Sequence, residues 1–310
     1  MENLGLKLKG FLMLSRLPFL TPGLSPFIAG LLLGWEQYGL RFYSLDAVGL
    51  AGITLIMLAT YYSNEYFDYE GDVINESFNR FSGGSRALSG GLLPRRVGLI
   101  SLYGALAAFI ALTAIYFTTY FAQRPLLILM ALVGIVAGVF YSAPPLRWAY
   151  RGVGELWIGF SYGWLATVSA YYIVTGKITL DATLLSLPAA FTVFAVIIIN
   201  EVPDYMADAR VNKRNLVVRL TPARARYLYA AAMILTAASA GVASLELSGL
   251  RAAAASALAV SAIAAYPTAK VLEGKVLGDT RGALERICAM TVVVNALAPY
   301  LVLAPALLLR

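Results

Sequence analysis

A nine-residue stretch rich in side-chain oxygen ligands occurs twice in the chain. The first copy, NEYFDYEGD, covers residues 64–72, and the second copy, NEVPDYMAD, covers residues 200–208. In both copies Asn, Asp and Asp lie four residues apart. On a helix such residues drift only about 40° per step and form one stripe of oxygen atoms. The positions shared by the copies are Asn64/Asn200, Glu65/Glu201, Asp68/Asp204, Tyr69/Tyr205 and Asp72/Asp208. The repeat predicts a site that handles a hard cation or a phosphate group.

The residue types favour Mg²⁺ as the cation. Two carboxylate clusters that face one another repel strongly unless cations lie between them. Mg²⁺ prefers octahedral oxygen coordination, and it is usually held by one or two carboxylates while substrate phosphates complete its shell. The chain has no His and a single Cys, Cys288, which excludes a Cys/His zinc site and an intrachain disulfide. We therefore expect magnesium together with a phosphorylated substrate.

The composition is that of a membrane protein. Of the 310 residues, 60% are hydrophobic and only 13% are charged, and the mean hydropathy of +0.74 lies outside the range of soluble globular proteins. Nine apolar runs each approach the roughly 20 residues that cross a bilayer. They are 14–34, 45–68, 96–120, 124–142, 153–175, 181–202, 223–245, 251–271 and 284–307. The sequence predicts an all-α, polytopic membrane protein with nine transmembrane helices in one domain, 1–310, with one acidic copy in each half, 1–142 and 143–310.

Lys and Arg are distributed unevenly between the loops that join these runs. If the runs alternate in direction, 19 of the 24 basic residues fall on one side of the membrane. The other side holds Arg41, Arg124, Lys177, Arg251 and Arg310. Because basic residues accumulate in cytoplasmic loops, this predicts a multi-pass protein of the cell membrane with its N-terminus in the cytoplasm and both acidic copies at cytoplasmic helix ends. The net charge of +7 is then a topology signal, and no nucleic-acid partner is expected.

Basic side chains near the two copies are candidates for phosphate contacts. Arg147 follows the sequence YSAPP, and Arg210, Lys213 and Arg214 directly follow the second copy. Each is also a topology charge, so a phosphate contact is one of two interpretations of each residue.

Pro203 immediately precedes Asp204 in the second copy. Proline lacks the backbone donor that a helix interior needs, so we expect the helix to kink or loosen there. The break either aims Asp204 and Asp208 into a chamber or simply ends the helix.

The two copies resemble the motifs of the UbiA superfamily of intramembrane prenyltransferases. The first copy matches the Asn-x-x-x-Asp-x-x-x-Asp signature of that family, and the second matches its Asp-x-x-x-Asp signature. DARVNKRNLVVRL, after the second copy, is similar to the lysine-arginine segment of the menaquinone-type (1,4-dihydroxy-2-naphthoate polyprenyltransferase) branch, although Asn212 and Asn215 stand where that branch usually has Gly and Thr. YSAPPLRWAYRGVGE, residues 141–155, resembles the segment before the fifth span of the same branch.

The resemblance implies helices arranged around a central chamber that opens to lipid. It implies transfer of an isoprenyl group from a polyprenyl diphosphate to a lipophilic or aromatic acceptor, in menaquinone or other quinone biosynthesis. The implied ligands of two Mg²⁺ ions are Asn64, Asp68, Asp72, Asn200, Asp204 and Asp208, of which the four aspartates are the catalytic residues. The implied diphosphate-binding residues are Arg86, Arg147, Lys213 and Arg214. The tyrosines that would line the pocket and stabilise an allylic cation are Tyr62, Tyr66, Tyr141 and Tyr205, although interface aromatics are an equal alternative.

The loop FNRFSGGSRALSGGLLPRR follows the first copy and is rich in Gly and Ser. It is either a mobile cap whose Arg86 reaches the diphosphate or a flexible connector.

Two alternative functions stay open at this point. Geranylgeranyl transfer to a glycerol phosphate ether, as in archaeal lipid synthesis, would use the same site and differ only in the shape of the pocket. A cation-coupled transporter also shows duplicated intramembrane acids. Its sites usually lie near the bilayer midplane, whereas the aspartates here end their spans.

Overall fold

A computed structural model of the protein describes residues 4–39 and 43–308. Within these ranges the chain forms helices joined by turns and loops, without a β-strand. The α-helices are α1 (Leu4–Leu14), α2 (Thr21–Tyr38), α3 (Ser44–Phe67), α4 (Tyr69–Ile74), α5 (Arg96–Thr119), α6 (Leu126–Val139), α7 (Gly154–Ile158), α8 (Ala166–Thr175), α9 (Leu180–Asn200), α10 (Tyr205–Arg210), α11 (Leu216–Leu220), α12 (Pro222–Ser248), α13 (Leu250–Glu273) and α14 (Ala283–Leu308). Arg41 and Arg310, which entered the charge count, lie outside the described residues. The predicted all-α fold class is confirmed.

Seven stretches of the described residues are helical, long and apolar enough to cross a membrane. They are Leu4–Tyr38, Ser44–Phe67, Arg96–Thr119, Leu180–Asn200, Pro222–Ser248, Leu250–Glu273 and Ala283–Leu307. The predicted run 124–142 contains α6, whose 14 residues rise only about 21 Å against a hydrocarbon core of about 30 Å. The predicted run 153–175 is divided by a π-helical segment, Gly159–Leu165, between α7 and α8. A polytopic helical protein is thus confirmed, whereas nine spans and the orientation of the N-terminus stay predictions.

The helices pack into a bundle whose core joins early and late parts of the chain. α2 packs against α8 and α14, α3 against α5 and α6, and α9 against α12 and α14. One buried cluster includes Leu33 of α2, Leu185 of α9 and Val302 of α14. The organisation as one domain with halves 1–142 and 143–310 stays a prediction.

A close helix contact at a small residue holds the middle of the bundle. Gly163, in the π-helical segment, lies so near the backbone of Ala190 in α9 that a Cβ at position 163 would collide with it. Small residues allow such approaches in lipid, where packing contacts replace the hydrophobic effect as the force between helices. The contact fixes the π-helical segment, and with it α7 and α8, against α9, and α9 leads directly into the second copy.

Candidate active site

The first copy lies where α3 gives way to α4. Asp68 is the junction residue, with φ −91° and ψ 3°. Helix-type hydrogen bonds nevertheless continue through the junction, from the Asp68 amide to the Asn64 carbonyl at 2.9 Å and from the Asp72 amide to the Asp68 carbonyl at 3.0 Å. Asn64, Asp68 and Asp72 therefore stay close to the single stripe that their spacing predicts.

The second copy is broken more sharply. α9 ends at Asn200 and α10 begins only at Tyr205, with a turn between them that contains Pro203. Because Pro203 has no amide hydrogen, it cannot donate to the Ile199 carbonyl. That carbonyl accepts a 3.4 Å hydrogen bond from the Val202 amide, within the turn, and Sγ of Cys288 on α14 donates to it at 3.9 Å. The expected loosening of the helix at Pro203 is confirmed.

The two copies meet at one end of the bundle, where they line a polar chamber. Lining residues from the copies are Asn64, Glu65, Asp68, Asp72, Asn200, Glu201 and Asp204. Asp208 is buried and does not line the chamber. Lys213 joins the copies, because its Nζ lies 3.2 Å from Asp68 Oδ2 and 3.6 Å from Asp208 Oδ1. Five of the six predicted metal ligands thus line one space. The sixth, Asp208, lies behind the wall and is linked to the chamber by its ion pair with Lys213.

Asp68 is held by the segment that links α6 to α7. Ser142 Oγ donates to Asp68 Oδ2 at 2.8 Å, and the Tyr150 hydroxyl donates to Asp68 Oδ1 at 2.9 Å. Together with Lys213, these bonds fix the direction of the carboxylate.

Two side-chain oxygens at equivalent positions of the repeat lack a partner. Among the described residues, Oδ1 of Asn64 and Oδ1 of Asn200 are both buried without a hydrogen bond. A buried acceptor left unpaired costs about 1–3 kcal/mol, so its occurrence in both copies, facing one chamber, indicates a ligand that completes both.

The donor set around the chamber fits Mg²⁺. Within the described ranges, no group of three or more carboxylates is placed to hold a metal ion by itself, and Asp68, Asp204 and Asp208 each accept a hydrogen bond from another side chain. A set of amide oxygens and a few carboxylates, completed by water and phosphate, is what Mg²⁺ usually takes. The fit therefore depends on substrate oxygens as well as on the protein.

Burial governs the ionisation of the acids near Lys213. It raises the pKa of Asp204, and it raises the pKa of Asp208 to about 7 although Lys213 lowers it. Burial opposes the charge of Lys213 itself, yet the carboxylates of Asp208 and Asp68 outweigh it and raise the lysine pKa well above its usual value. The site thus holds a charged lysine among acids whose full ionisation needs a further cation.

The loop after the first copy is bonded to both copies. Asn75 Nδ2 donates to Asp204 Oδ1 at 2.6 Å, and the Gly83 amide donates to Asp204 Oδ2 at 3.1 Å. Gly84, at φ +66°, lies where a Cβ would collide with Asp72 Oδ2. The loop therefore packs closely against both copies and lies between them.

Three of the four basic residues expected to bind diphosphate do not line the chamber. Arg86 donates to the backbone carbonyl of Asp72. The Arg147 guanidinium lies 3.7 Å from the ring centre of Tyr150, and Arg214 is exposed. Lys213 does line the chamber.

Of the four tyrosines expected in the pocket, Tyr141 lines it and the others lie elsewhere. The Tyr62 hydroxyl is hydrogen-bonded to Ser15 Oγ at 2.9 Å. Tyr66 stacks under the guanidinium of Arg95, and Tyr205 packs against a buried hydrophobic cluster.

The sequence reasoning missed other lining residues, including Arg16, Tyr61 and Tyr162. Tyr61 precedes Asn64 by three residues and Asp68 by seven, so helical periodicity alone places it on the ligand stripe. Arg16 counted only as a topology charge.

An apolar cavity adjoins the polar chamber. It lies among α3, α5, α6 and α8. The two spaces share Thr60, Tyr141, Ile158 and Tyr162 in their walls. On α3 the cavity extends from Thr60 to Val48, a rise of about 18 Å. A molecule with a charged head and a long apolar chain would fill both spaces.

A family comparison decides which proteins this site is related to. The model of the UbiA prenyltransferase family matches residues 23–281, which is well over half of the chain. The chain belongs to this family. The resemblance predicted from the two copies is confirmed.

Curated members of the UbiA family match parts of the chain. The 1,4-dihydroxy-2-naphthoate octaprenyltransferase of Bacillus subtilis (strain 168) is 27% identical over 195 residues, covering 63% of this chain and 58% of that protein. The UbiA prenyltransferase domain-containing protein 1 of Dictyostelium discoideum is 30% identical over 97 residues, covering 31% and 29%. A 1,4-dihydroxy-2-naphthoate octaprenyltransferase of Haemophilus influenzae is 29% identical over 91 residues, covering 29% and 30%. Each match spans less than two thirds of the relative's length.

Solved UbiA structures share the fold. A UbiA homologue from Aeropyrum pernix K1, in its apo form, has a TM-score of 0.65 and 18% identity, with 93% of this chain and 96% of that chain covered. A homologue from Archaeoglobus fulgidus bound to GPP and Mg²⁺ has a TM-score of 0.62 and 18% identity, with 96% and 100% covered. A digeranylgeranylglyceryl phosphate synthase has a TM-score of 0.64 and 17% identity, with 97% and 99% covered.

Proposed function

We propose that the chain is a Mg²⁺-dependent intramembrane prenyltransferase that moves an isoprenyl group from a polyprenyl diphosphate to an aromatic acceptor in menaquinone or related quinone biosynthesis. The observation that carries the proposal is the junction of the two spaces at Tyr141. A diphosphate needs the cations and oxygen ligands of the polar chamber, and an isoprenyl chain needs the adjoining apolar cavity.

Residues of both copies would hold the metal, one ion for each copy. The unpartnered oxygens of Asn64 and Asn200 are the first candidates, with Asp68, Asp72 and Asp204 beside them. When bound, Mg²⁺ would supply the charge that stabilises the departing diphosphate. Asp208 supports the site by keeping Lys213 charged and in place.

Lys213 and the aromatic residues have separate tasks. Lys213 lies in the chamber with its ammonium on Asp68 and Asp208, where it can also donate to a phosphate oxygen. Tyr141 and Tyr162 line the boundary of the two spaces. Their rings exclude water and stabilise a positively charged allylic carbon without attacking it.

The bond changes balance without a redox partner. The bond between the allylic carbon and the diphosphate oxygen breaks, and its electron pair leaves with the diphosphate. An electron-rich ring carbon of the acceptor forms the new carbon–carbon bond, and the proton displaced from that carbon passes to the released diphosphate or to a carboxylate of the chamber.

The names of the relatives support a naphthoate acceptor. The Bacillus subtilis and Haemophilus influenzae relatives are both 1,4-dihydroxy-2-naphthoate octaprenyltransferases. The second candidate is geranylgeranyl transfer to a glycerol phosphate ether, because a digeranylgeranylglyceryl phosphate synthase shares the fold. The transporter alternative has no support from membership of a prenyltransferase family.

We also propose that the chamber faces the cytoplasm of a cell-membrane protein. The support is the concentration of Lys and Arg in the loops at the chamber end, which the positive-inside rule places in the cytoplasm.

Prenyl transfer by purified protein in nanodiscs tests the function. We expect geranylgeranyl diphosphate and Mg²⁺ to give product with 1,4-dihydroxy-2-naphthoate, in preference to 4-hydroxybenzoate and geranylgeranylglyceryl phosphate. A chelator, Asp68→Asn or Asp204→Asn should each abolish it. Product only with geranylgeranylglyceryl phosphate would contradict the aromatic acceptor and favour the second candidate. No product with any of the three acceptors would contradict the proposed activity.

A further inference from the structure

Glu155 ends the stretch YSAPPLRWAYRGVGE, of which the proposed function uses Tyr141 but not the last residues. Its side chain is completely buried. Oε1 accepts a hydrogen bond from the Leu216 amide, where α11 begins. Leu216 comes three residues after Lys213. Glu155 therefore holds the backbone close to the lysine of the chamber.

A second side chain, Arg219 of α11, ties the same two parts of the chain together. Its guanidinium donates to the Arg214 carbonyl at 2.8 Å and to the Arg151 carbonyl at 2.9 Å. Gly152, at φ +70°, lies so near Arg219 that a Cβ at position 152 would collide with Nε. The chain that follows the second copy is thus attached at two points to the segment at the start of α7.

The loop that carries Lys213 is short and bonded at both ends. The Lys213 amide donates to the Asp208 carbonyl at 2.8 Å, and Asn215 Nδ2 donates to Asp208 Oδ2 at 2.8 Å. The next bond along the chain is that of Leu216 with Glu155. Only two residues separate Lys213 from Leu216, so a displacement of the Leu216 amide is passed on to the lysine. The position of the lysine therefore depends on Glu155.

Glu155 also lies beside a second acid. The carboxyl groups of Glu155 and Glu201 are neighbours, and Glu201 lines the chamber. Among the described residues, Oε2 of each is buried without a hydrogen bond. A charge on both acids would be unfavourable in a buried site, so the useful part of Glu155 is its acceptor oxygen and not its charge. Gln at this position would keep that oxygen and offer Glu201 a donor.

We propose that Glu155 is a positioning residue for Lys213. By holding the Leu216 amide, it keeps the lysine ammonium in the chamber, where that ammonium meets the diphosphate of the donor. Glu155 itself does not line the chamber and acts only through Lys213. The inference rests on the proposed function, because the diphosphate is the ligand that Lys213 has there.

A double-mutant cycle in donor binding tests this inference. Binding of geranylgeranyl diphosphate with Mg²⁺ is measured for wild type, Glu155→Ala, Lys213→Gln and the variant that carries both changes. We expect Glu155→Ala to raise the Kd about tenfold, the range of a lost buried hydrogen bond. In the Lys213→Gln background the same change should raise the Kd less than about twofold, because the two residues act as one unit. An unchanged Kd in the wild-type background, or an equal loss in both backgrounds, would overturn the proposal.

Asp46→Ala is the matched control. Asp46 is also completely buried, and its Oδ2 accepts a hydrogen bond from the Tyr43 amide at 2.8 Å. Its Oδ1 is buried without a partner among the described residues. It lies at the start of α3, whereas the first copy lies at the end of that helix. Asp46→Ala should lower thermal stability but keep the Kd for the donor within about twofold of wild type. A loss of donor binding equal to that of Glu155→Ala would overturn the proposal.

Two further variants apply if Glu155→Ala does not fold. Glu155→Gln retains the acceptor oxygen and should bind the donor within about threefold of wild type. Arg219→Gln removes the bonds to two backbone carbonyls at an exposed position. It should raise the Kd about threefold, again only while Lys213 is present. A loss of about tenfold in Glu155→Gln, or an unchanged Kd in Arg219→Gln, would overturn the proposal.

Donor binding is measured without an acceptor, which separates this inference from the proposed function. If wild type transfers no prenyl group but binds the donor with coupling between Glu155 and Lys213, the activity fails and the inference stands. If prenyl transfer is found without that coupling, the inference fails and the activity stands. Absence of donor binding in wild type would overturn both.

Discussion

At the scale of single residues, the site is defined by charges that the fold brings together and leaves incomplete. Lys213 is the protein's own cation between the copies, within 3.6 Å of a carboxylate from each. Asn64 and Asn200 present oxygens that no described protein group fills. The protein supplies part of a counter-charge system, and metal and substrate are expected to complete it.

Replacing Lys213 by Gln should therefore destabilise the protein and weaken donor binding. Removal of one partner from a buried ion pair costs roughly 3–5 kcal/mol, because the remaining carboxylates are left uncompensated. Mg²⁺ should recover part of the lost stability by supplying positive charge. Thermal unfolding in detergent, with and without Mg²⁺, measures both effects. Lys270→Gln, which removes an exposed lysine paired with Glu273, is the control, and a Lys213→Gln variant as stable as wild type would contradict the assigned role.

The sequence identified the ligand stripe but not every neighbour of it. Asn64, Asp68 and Asp72 were predictable because their spacing repeats. Tyr62 was predicted to line the pocket, whereas the structure has Tyr61 in the chamber wall. Adjacent helical residues point about 100° apart, and Tyr61 has the phase of the stripe. The role of Arg86 could not be read from composition, because it depends on a loop conformation that turns its side chain to the Asp72 carbonyl.

At the scale of helices, the breaks place the chemistry. α3 and α9 end at their acidic copies, and the apolar cavity runs down α3 from that point. Pro203 made the second break predictable. The division of the run 153–175 by a π-helical segment was not predictable, because the run contains no proline to mark the break.

A ring placed within the apolar cavity should shorten the donor that the protein accepts. Gly52 faces the cavity and lies eight residues, about 12 Å, from Thr60. An isoprene unit of four chain carbons extends about 5 Å, so Gly52→Phe should leave room for geranyl diphosphate and lower kcat/KM for geranylgeranyl diphosphate by about tenfold or more. Assays with both donors measure the ratio.

Gly104→Phe makes the same substitution on α5 at an exposed position with open space around it. Gly104→Phe should change the kcat/KM of neither geranyl diphosphate nor geranylgeranyl diphosphate. If Gly52→Phe lowers kcat/KM equally for both donors while Gly104→Phe is unaffected, the cavity does not hold the isoprenyl chain.

At the scale of the whole molecule, the two copies of the acidic stretch and the long apolar runs were enough to predict the fold class and the family. The number of spans was less accessible, because α6 and the interrupted α7–α8 region resemble ordinary apolar runs in sequence. The meeting of both copies at one chamber depends on contacts far apart in the chain, such as Asn75 with Asp204. Such contacts become visible only once the bundle is assembled.

The most direct test of the account is Mg²⁺-dependent binding of geranylgeranyl diphosphate to wild type, Asn64→Ala and Asn200→Ala. Asn295→Ala is the matched control, since Oδ1 of Asn295 is also buried without a partner among the described residues but does not line the chamber. We predict that the Mg²⁺ concentration for half-maximal binding rises by about tenfold in each of the first two variants, as a lost metal ligand requires, and is unchanged in the third. Unchanged Mg²⁺ dependence in Asn64→Ala and Asn200→Ala would contradict the claim that the two copies form one metal and diphosphate site.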